Sequence, residues 1–353
     1  MSHTDETTVN AVDVAALAGE KIRGFRARIF RRLLSGLAAG RLRVILPSGE
    51  SFVRAGRLPG PEATIQIRRW RTLTRILTGG DIGFAEGYVA GDWTSPDPVA
   101  VIRLAARNTE ELRRAVRGSR LVRSVERVRH LLNGNSRRGS RRNIEAHYDL
   151  GNDFYRLWLD GTMLYSSALF DETTASLEAA QAKKLDRIAE LLALDGGESV
   201  LEIGCGWGAL ATHLADGRAG RVTGITLSPS QLAWAGDAVA ARGLTERVDL
   251  RLQDYRDVAE TFDRVVSIEM FEAVGEAWWP TYFGTLARAL NPGGRAVLQV
   301  ISIADDRYED YRRDTDFIQK HVFPGGFLPS KAAFAGAVDA AGLRLEAAEH
   351  FRS

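Results

Sequence analysis

Apolar residues recur along this chain with two different periods. GRLRVILPSGESFVRAG, residues 40–56, alternates apolar and polar positions about a Pro-Ser-Gly turn and predicts a β-hairpin. ATIQIRRW, residues 63–70, predicts a further strand, and short helices are expected at Thr72–Leu77 and Asp97–Ala106. Residues 19–112 therefore read as a small α+β domain. In KIRGFRARIFRRLLSGL, residues 21–37, the period changes: Ile22, Phe25, Ile29 and Leu33 recur at helical spacing among cations. IEAHYDLGNDFYRLWLDGTMLYSSALF, residues 144–170, reads as helical and opens a cap expected to run to residue 190. Strand and helix alternate after it. Strands are expected at 199–203, 221–226, 247–252, 263–268, 294–302 and 343–350. Among the intervening helices, Ser330–Ala341 has Ser330 as its N-cap and Gly342 just past its end. That alternation predicts an α/β domain over 143–353, a doubly wound, mostly parallel, Rossmann-like sheet.

Composition bounds the function. A chain of 353 residues, 45% apolar and 26% charged, is an ordinary globular protein with room for two domains. Its polar start MSHTDETTVN is no secretory leader, and residues 1–18 read as disordered. A single cysteine, Cys205, permits no internal disulfide and suits a reducing compartment. No apolar run nears the roughly 18 to 20 residues of a spanning helix, so a cytoplasmic location is expected. The net charge of +2 hides an asymmetry: residues 1–142 hold 27 Lys and Arg against 13 Asp and Glu, and the remainder holds 20 against 32. Arg113–Arg142 alone has eleven arginines and one acid, Glu126, and reads as a linker between the domains. Basic amphipathic segments suit the anionic inner face of a membrane, at roughly 1 kcal/mol per cation near the headgroups. A solvated helix face with a plain linker is the alternative. Nothing supports nucleic acid, since neither aromatic platforms nor zinc spacings occur. The six histidines show no HxxxH or HxH spacing, so no metal is expected.

The chemistry points to the second domain. VLEIGCGWGAL, residues 200–210, is an apolar strand broken by Gly204, Gly206 and Gly208 that restarts as a helix. Glycines there let the chain turn sharply and let a ligand approach the backbone, while the helix start aims unpaired amides above the sheet. GxGxG is not the dinucleotide fingerprint. About twenty residues on, where such folds contact a ribose, the chain reads VTGITLSPSQ. Glu272 stands just past the fourth strand, where active-site residues of this fold collect.

Gly204-Cys205-Gly206-Trp207-Gly208, ITLSPSQ, LQDYRD at 252–257, SIEMFEAVG at 267–275 and HYDLGNDFY with LYSSALF together resemble the cyclopropane-fatty-acyl-phospholipid synthase family. The likeness runs from about His147 to the last residue, and the basic N-terminal domain resembles the accessory domain of bacterial members. It implies an S-adenosylmethionine-dependent methyltransferase acting on unsaturated acyl chains of membrane phospholipid. By that resemblance Tyr165 and Ser166 close over the cofactor, and Gly204–Gly208, with Cys205 and Trp207, hold its methionine end. Thr226, Leu227 and Gln231 take the ribose side, and Asp254 and Tyr255 the adenine. No acid follows the second strand, so the ribose partners are neutral. Glu202 is expected to matter more than Cys205, because a carboxylate at a strand end can face a sulfonium or an ammonium. Methyl transfer to an isolated alkene develops a carbocation, which needs dry surroundings and aromatic faces. Tyr148, Phe154, Tyr155, Tyr165, Phe170, Phe271, Trp278, Trp279, Tyr282, Phe317 and Phe323 supply candidates, most of them expected in the core. His147 and His321 are candidates for the acyl channel. The resemblance gives Glu272 the task of holding a bicarbonate ion that removes the final proton.

Two departures follow. Gln299 stands where the family's pattern has a histidine, and Ser167 where it has a cysteine. A weaker base site would let the cation collapse to a methyl-branched or methylated unsaturated chain instead of a ring. The second departure is the end of the chain. The family's sheet carries a seventh strand and a late anion-site tyrosine that would lie beyond Ser353, so the resemblance implies a truncated member. The expected partners are phospholipid acyl chains, an anionic membrane surface and a second copy of the chain as a homodimer. A methyltransferase for a small soluble acceptor and a catalytically silent lipid-binding protein are the rival readings.

Overall fold

Leu42 and Val44 alternate with arginines, so strand β1 (Ala39–Ile45) buries one face. It pairs antiparallel with β2 (Ser51–Ala55) through the expected turn, where Gly49 at φ +87° donates its N–H to the Leu46 carbonyl. The computed structural model describes residues 24–115, 151–217 and 219–351. Outside them lie the expected disordered start, the Arg-rich linker beyond residue 115, and the first residues of the cap with His147 and Tyr148. The chain divides into two units, residues 1–126 and 127–353.

In the first unit, β3 (Leu58–Ile67) runs parallel to β1, and β4 (Trp93–Thr94) completes a sheet of order β2-β1-β3-β4. Its helices are α1 (Phe25–Leu33), α2 (Arg71–Val89), α3 (Pro98–Arg107) and α4 (Thr109–Ala115). The helix expected at Thr72–Leu77 extends to Val89 and breaks at Gly80, whose φ of 60° and ψ of −133° lie in glycine's territory. The apolar stripe of α1 is also rotated from the expected one. Ala27 and Phe30 are buried and Ile29 and Leu33 pack on the unit's own core, while Phe25 is exposed. Buried Asn108 ties the unit together: its Oδ1 accepts from the N–H groups of Ala38 and Ala39, and its Nδ2 donates to the carbonyls of Ala39 and Leu104.

The second unit is built on five parallel strands: β5 (Ser199–Ile203), β6 (Arg221–Thr226), β7 (Val248–Leu252), β8 (Phe262–Ile268) and β9 (Leu290–Gln299). Their order is β7-β6-β5-β8-β9. Direction of winding reverses between β5 and β8, and in such sheets ligands bind at the carboxyl ends of the strands at that reversal. Helices α5 (Asn152–Tyr155), α6 (Leu177–Leu192), α7 (Ala209–Gly217), α8 (Pro229–Ala241), α9 (Trp279–Ala289), α10 (Asp305–Arg313) and α11 (Lys331–Ala340) complete it. Ser330 caps α11 as expected, accepting from Ala333 N. Leu201, Ile203, Ile225 and Val265 carry the core on one face, against Phe271, Tyr282, Phe283 and Leu286. Val200, Val222, Val248 and Val266 carry it on the other, against Leu210 and Leu214.

Two expectations are corrected. Residues 156–176 are not helical. Asp160 and Asp171 fold this stretch by accepting hydrogen bonds from Thr162, Thr173 and Thr174, side chains that favour turns. The strand expected at 343–350 has no ladder partner. Only Leu343 packs on the core, Leu345 is exposed, and Glu346 and Glu349 are drawn into ion pairs with Arg295 and Arg187.

Candidate active site

The strand-to-helix turn after β5 carries the three expected glycines, all at positive φ: Gly204 at 84°, Gly206 at 53° and Gly208 at 84°. A Cβ on Gly204 would stand 2.8 Å from Met270 Cγ, and one on Gly208 would stand 2.8 Å from Ala235 Cβ. Gly206 differs, because a Cβ there meets nothing within 4 Å. The backbone therefore exposes an open ledge at Gly206 between two packed glycines. Cys205 is buried, and burial pushes its thiol well up, so it fills the turn as an uncharged side chain. Its Cβ and Sγ would lie 3.1 and 3.3 Å from a Cβ on Gly224. At the strand's end Glu202 is 3% exposed, and its Oε2 has no hydrogen-bond partner among the described residues. Burial pushes the Glu202 carboxyl up to about 8, against the Ala211 backbone and the Lys184 charge, which pull it down. An unpartnered buried carboxylate oxygen beside an open backbone ledge fits the ammonium and sulfonium of adenosylmethionine.

Tyr165 and Ser166 lie on the irregular stretch before α6, and that helix holds them. Gln181 Nε2 donates to the Ser166 carbonyl at 2.9 Å, and Lys184 Nζ donates to Ser166 Oγ at 2.7 Å. Lys184 is completely buried, which lowers its ammonium to about 8 against the pull of Glu269, Asp160 and Glu202. Tyr165 packs edge-on to Tyr155 and Trp158, and Trp207 donates Nε1 to Asn152 Oδ1 at 2.8 Å. The glycine loop and the segment above it are thus joined through aromatic side chains. Burial, then the Glu269 charge, raise the Tyr165 hydroxyl above its ordinary value.

At the ends of β6 and β7 the expected residues mostly engage each other. Thr226 Oγ1 donates to Gln231 Oε1 at 3.0 Å, so Thr226 orients Gln231, while Leu227 is only partly buried beside it. Asp254 receives Arg256 Nε at 2.8 Å and Nη2 at 2.6 Å in a two-pronged pair. The Arg256 guanidinium also lies over Tyr255 and Trp278, at 5.3 and 5.4 Å. Of the aromatic candidates, Tyr155, Phe271, Trp279 and Tyr282 are core, and Phe154, Phe170 and Phe323 are exposed.

The catalytic candidates Ser167, Gln299 and Glu272 come together past β8 and β9, around a residue that the sequence reading passed over. Glu269 Oε1 accepts from Ser167 N at 3.1 Å, from Ser167 Oγ, and from Gln299 Nε2 at 2.7 Å. Glu272 accepts from the Ile301 N–H, and its buried Oε2 has no partner among the described residues. Burial, with a smaller push from Glu269, raises the Glu272 carboxyl to about 7, against the Ile301 bond. Glu269 had a signal, being a second acid in SIEMFEAVG. Lys184 had none, because Lys183-Lys184 in a helix reads as a solvated pair.

A five-stranded parallel sheet with an open glycine ledge and a buried carboxylate at its reversal suits an S-adenosylmethionine-dependent methyltransferase, and the chain's relatives place it in that class. A family profile for mycolic acid cyclopropane synthetase matches residues 135–353, and the chain belongs to that family. It is 40% identical over 295 residues to the tuberculostearic acid methyltransferase UfaA1 of Mycobacterium tuberculosis, covering 79% of this chain and 68% of the relative. It is 35% identical over 279 residues to the cyclopropane-fatty-acyl-phospholipid synthase of Escherichia coli K12, covering 76% of this chain and 67% of the relative. The crystal structure of mycolic acid cyclopropane synthase CmaA1, complexed with SAH and CTAB, superposes with a TM-score of 0.54 at 31% identity, over 59% of this chain and 76% of that one. Family membership makes lipid acyl chains the substrate class. Among the described residues no helix is long and apolar enough to cross a membrane.

Proposed function

We propose that this enzyme methylates the double bond of an unsaturated fatty acyl chain carried by a membrane phospholipid, through a carbocation. Adenosylmethionine, when bound, supplies an electrophilic methyl group. The chain's residues bind and orient it: Gly204–Gly208 pass under the methionine portion, and Glu202 Oε2 accepts from its ammonium. Gln231, oriented by Thr226, donates to the ribose, and Tyr255 packs beside the adenine with Asp254 held by Arg256. Tyr165 and Ser166, held by Gln181 and Lys184, close over the cofactor and exclude water. The observation that carries the reading is the pair of carboxylates, Glu269 and Glu272, gathered with Ser167 and Gln299 beside the glycine loop. A reaction that ends in proton loss from a hydrocarbon cation needs a base held at such a site. The likeness to a tuberculostearic acid methyltransferase supports a methylated product that keeps one double bond, with a cyclopropane as the other outcome. The arginine-rich first unit supports peripheral binding to an anionic membrane.

The test is incubation with labelled adenosylmethionine and unsaturated phospholipid vesicles, followed by mass spectrometry of the released acyl chains. Gain of one CH2 unit on unsaturated chains is expected. Label confined to a water-soluble acceptor, or no label transferred, would sink the proposal.

A further inference from the structure

Three donors from two separate segments converge on one point past β9: Ser167 N, Ser167 Oγ and Gln299 Nε2. Convergent N–H and O–H groups of this kind make an anion site. The anion in it is the protein's own. All three hydrogen bonds fall on Glu269 Oε1, and among the described residues none is recorded on Oε2. Next to it, the Ile301 N–H is engaged by Glu272. The backbone is bent to this end: Glu269 sits at φ +47°, a left-handed conformation that non-glycine residues seldom adopt, and its own N–H donates to the Gln299 carbonyl at 2.8 Å. The next residue, Met270, packs against Gly204, so Glu269 follows directly on the loop expected to hold the methyl donor.

A bicarbonate ion does not fit these residues. Its donors are already engaged, and the Glu269 carboxylate that holds them would repel it. We infer that Glu269 is itself the catalytic base of this enzyme and that no external anion takes part. This rests on the proposal that the acyl double bond is the methyl acceptor. Once the alkene's π electrons have formed the bond to the methyl carbon, the neighbouring carbon is cationic. Glu269 Oε2 takes a proton from the methylated chain, and the electron pair of the broken C–H bond becomes a new C–C bond, closing a ring or forming an alkene. The product is neutral, and the proton passes from the carboxyl group to solvent. Ser167 and Gln299 fix Oε1 so that Oε2 faces the chain.

Three enzymes, the wild type, Glu269→Gln and Glu269→Gly, would be assayed with labelled adenosylmethionine and unsaturated phospholipid vesicles, in buffer stripped of carbon dioxide and in buffer with added bicarbonate. Calorimetry would measure bicarbonate and adenosylmethionine binding to each. The wild type is expected to turn over equally in both buffers and to show no bicarbonate heat. Glu269→Gln keeps the side chain's size and its acceptor oxygen, so it should bind adenosylmethionine normally and lose about 100-fold or more in rate. Glu269→Gly relieves the left-handed strain and empties the site; it should bind bicarbonate and regain activity only when bicarbonate is added. Wild-type turnover that requires bicarbonate, bicarbonate heat with the wild type, or full activity in Glu269→Gln would each overturn the inference. A wild type that binds adenosylmethionine yet labels no lipid in either buffer removes the acyl-chain reading, and this inference with it.

Discussion

At the scale of single residues, burial decides the protonation of the site. The Glu202 carboxyl, ordinarily near 4.5, is raised to about 8, and that of Glu272 to about 7. Between the unfolded and folded values the native state holds protons that the unfolded chain has released, so stability falls as pH rises. The loss begins above about 4.5 and is complete once pH passes about 8. At about 1.4 kcal/mol per unit, Glu202→Gln should stabilise the enzyme by a few kcal/mol at pH 8 and leave it nearly unchanged at pH 4.5. Thermal melts of both proteins across that range check this, and equal melting temperatures at pH 8 would contradict it. The glycines separate in a similar way. Gly206→Ala should cost about 1 kcal/mol of stability for its left-handed φ and weaken adenosylmethionine binding about tenfold or more, because its new methyl enters the open ledge. Gly208→Ala should lose more stability, since its methyl meets Ala235 at 2.8 Å. Denaturant melts beside calorimetry distinguish the two effects. Much of this was legible: Gly204–Gly208, Glu202 and Glu272 all stand where strand-end chemistry is expected. Lys184 and Glu269 were not, because burial of a lysine and a positive φ at a glutamate arise from tertiary packing that overrides local pattern.

Among elements, helix α6 supports the segment that carries Tyr165 and Ser166. Gln181 and Lys184 stand on its buried face, and between them they hold the carbonyl and hydroxyl of Ser166. Lys184→Met removes the hydroxyl contact and leaves Ser166 Oγ without that donor. The variant should fold, raise the KM for adenosylmethionine several-fold at a hydrogen bond's worth of about 1 kcal/mol, and speed amide exchange over residues 164–169. Unchanged exchange there would show that α6 does not carry the segment. In the first unit, Asn108 has the corresponding task between α3 and β1. Its replacement by Ala removes the partner of the Ala38 and Ala39 N–H groups and of the Ala39 and Leu104 carbonyls, so a loss of about 3 kcal/mol or more is expected in urea melts. The hairpin, the five strands and α11 were legible from their period and caps. Residues 156–176 and 343–350 were not. The first stretch is shaped by side-chain hydrogen bonds that no period reports, and the second alternates as a strand does, yet only Leu343 of its apolar positions reaches the core and Leu345 stays exposed.

For the molecule as a whole, the charge divides by sign, residues 1–142 being basic and residues 143–353 acidic. If the first unit positions the enzyme on anionic lipid, vesicle binding should fall steeply as salt rises through the physiological range, with activity on vesicles falling alongside. Activity on detergent-dispersed substrate should change little. Vesicle binding that ignores salt would argue for an apolar contact, and helix α1 offers little of one, because Ile29, Phe30 and Leu33 face their own core. At this scale the charge asymmetry and the doubly wound, mostly parallel sheet were legible in advance; the strand order that sets the reversal between β5 and β8 is encoded by no single segment. That reversal puts the loop after β8 directly against the loop after β5, with Met270 touching Gly204 and Glu269 preceding it. An enzyme that carries its base at that seam answers only to its two organic substrates. Its output in a growing cell would then track the supply of methyl donor and of unsaturated lipid, and would be indifferent to how much dissolved inorganic carbon surrounds it.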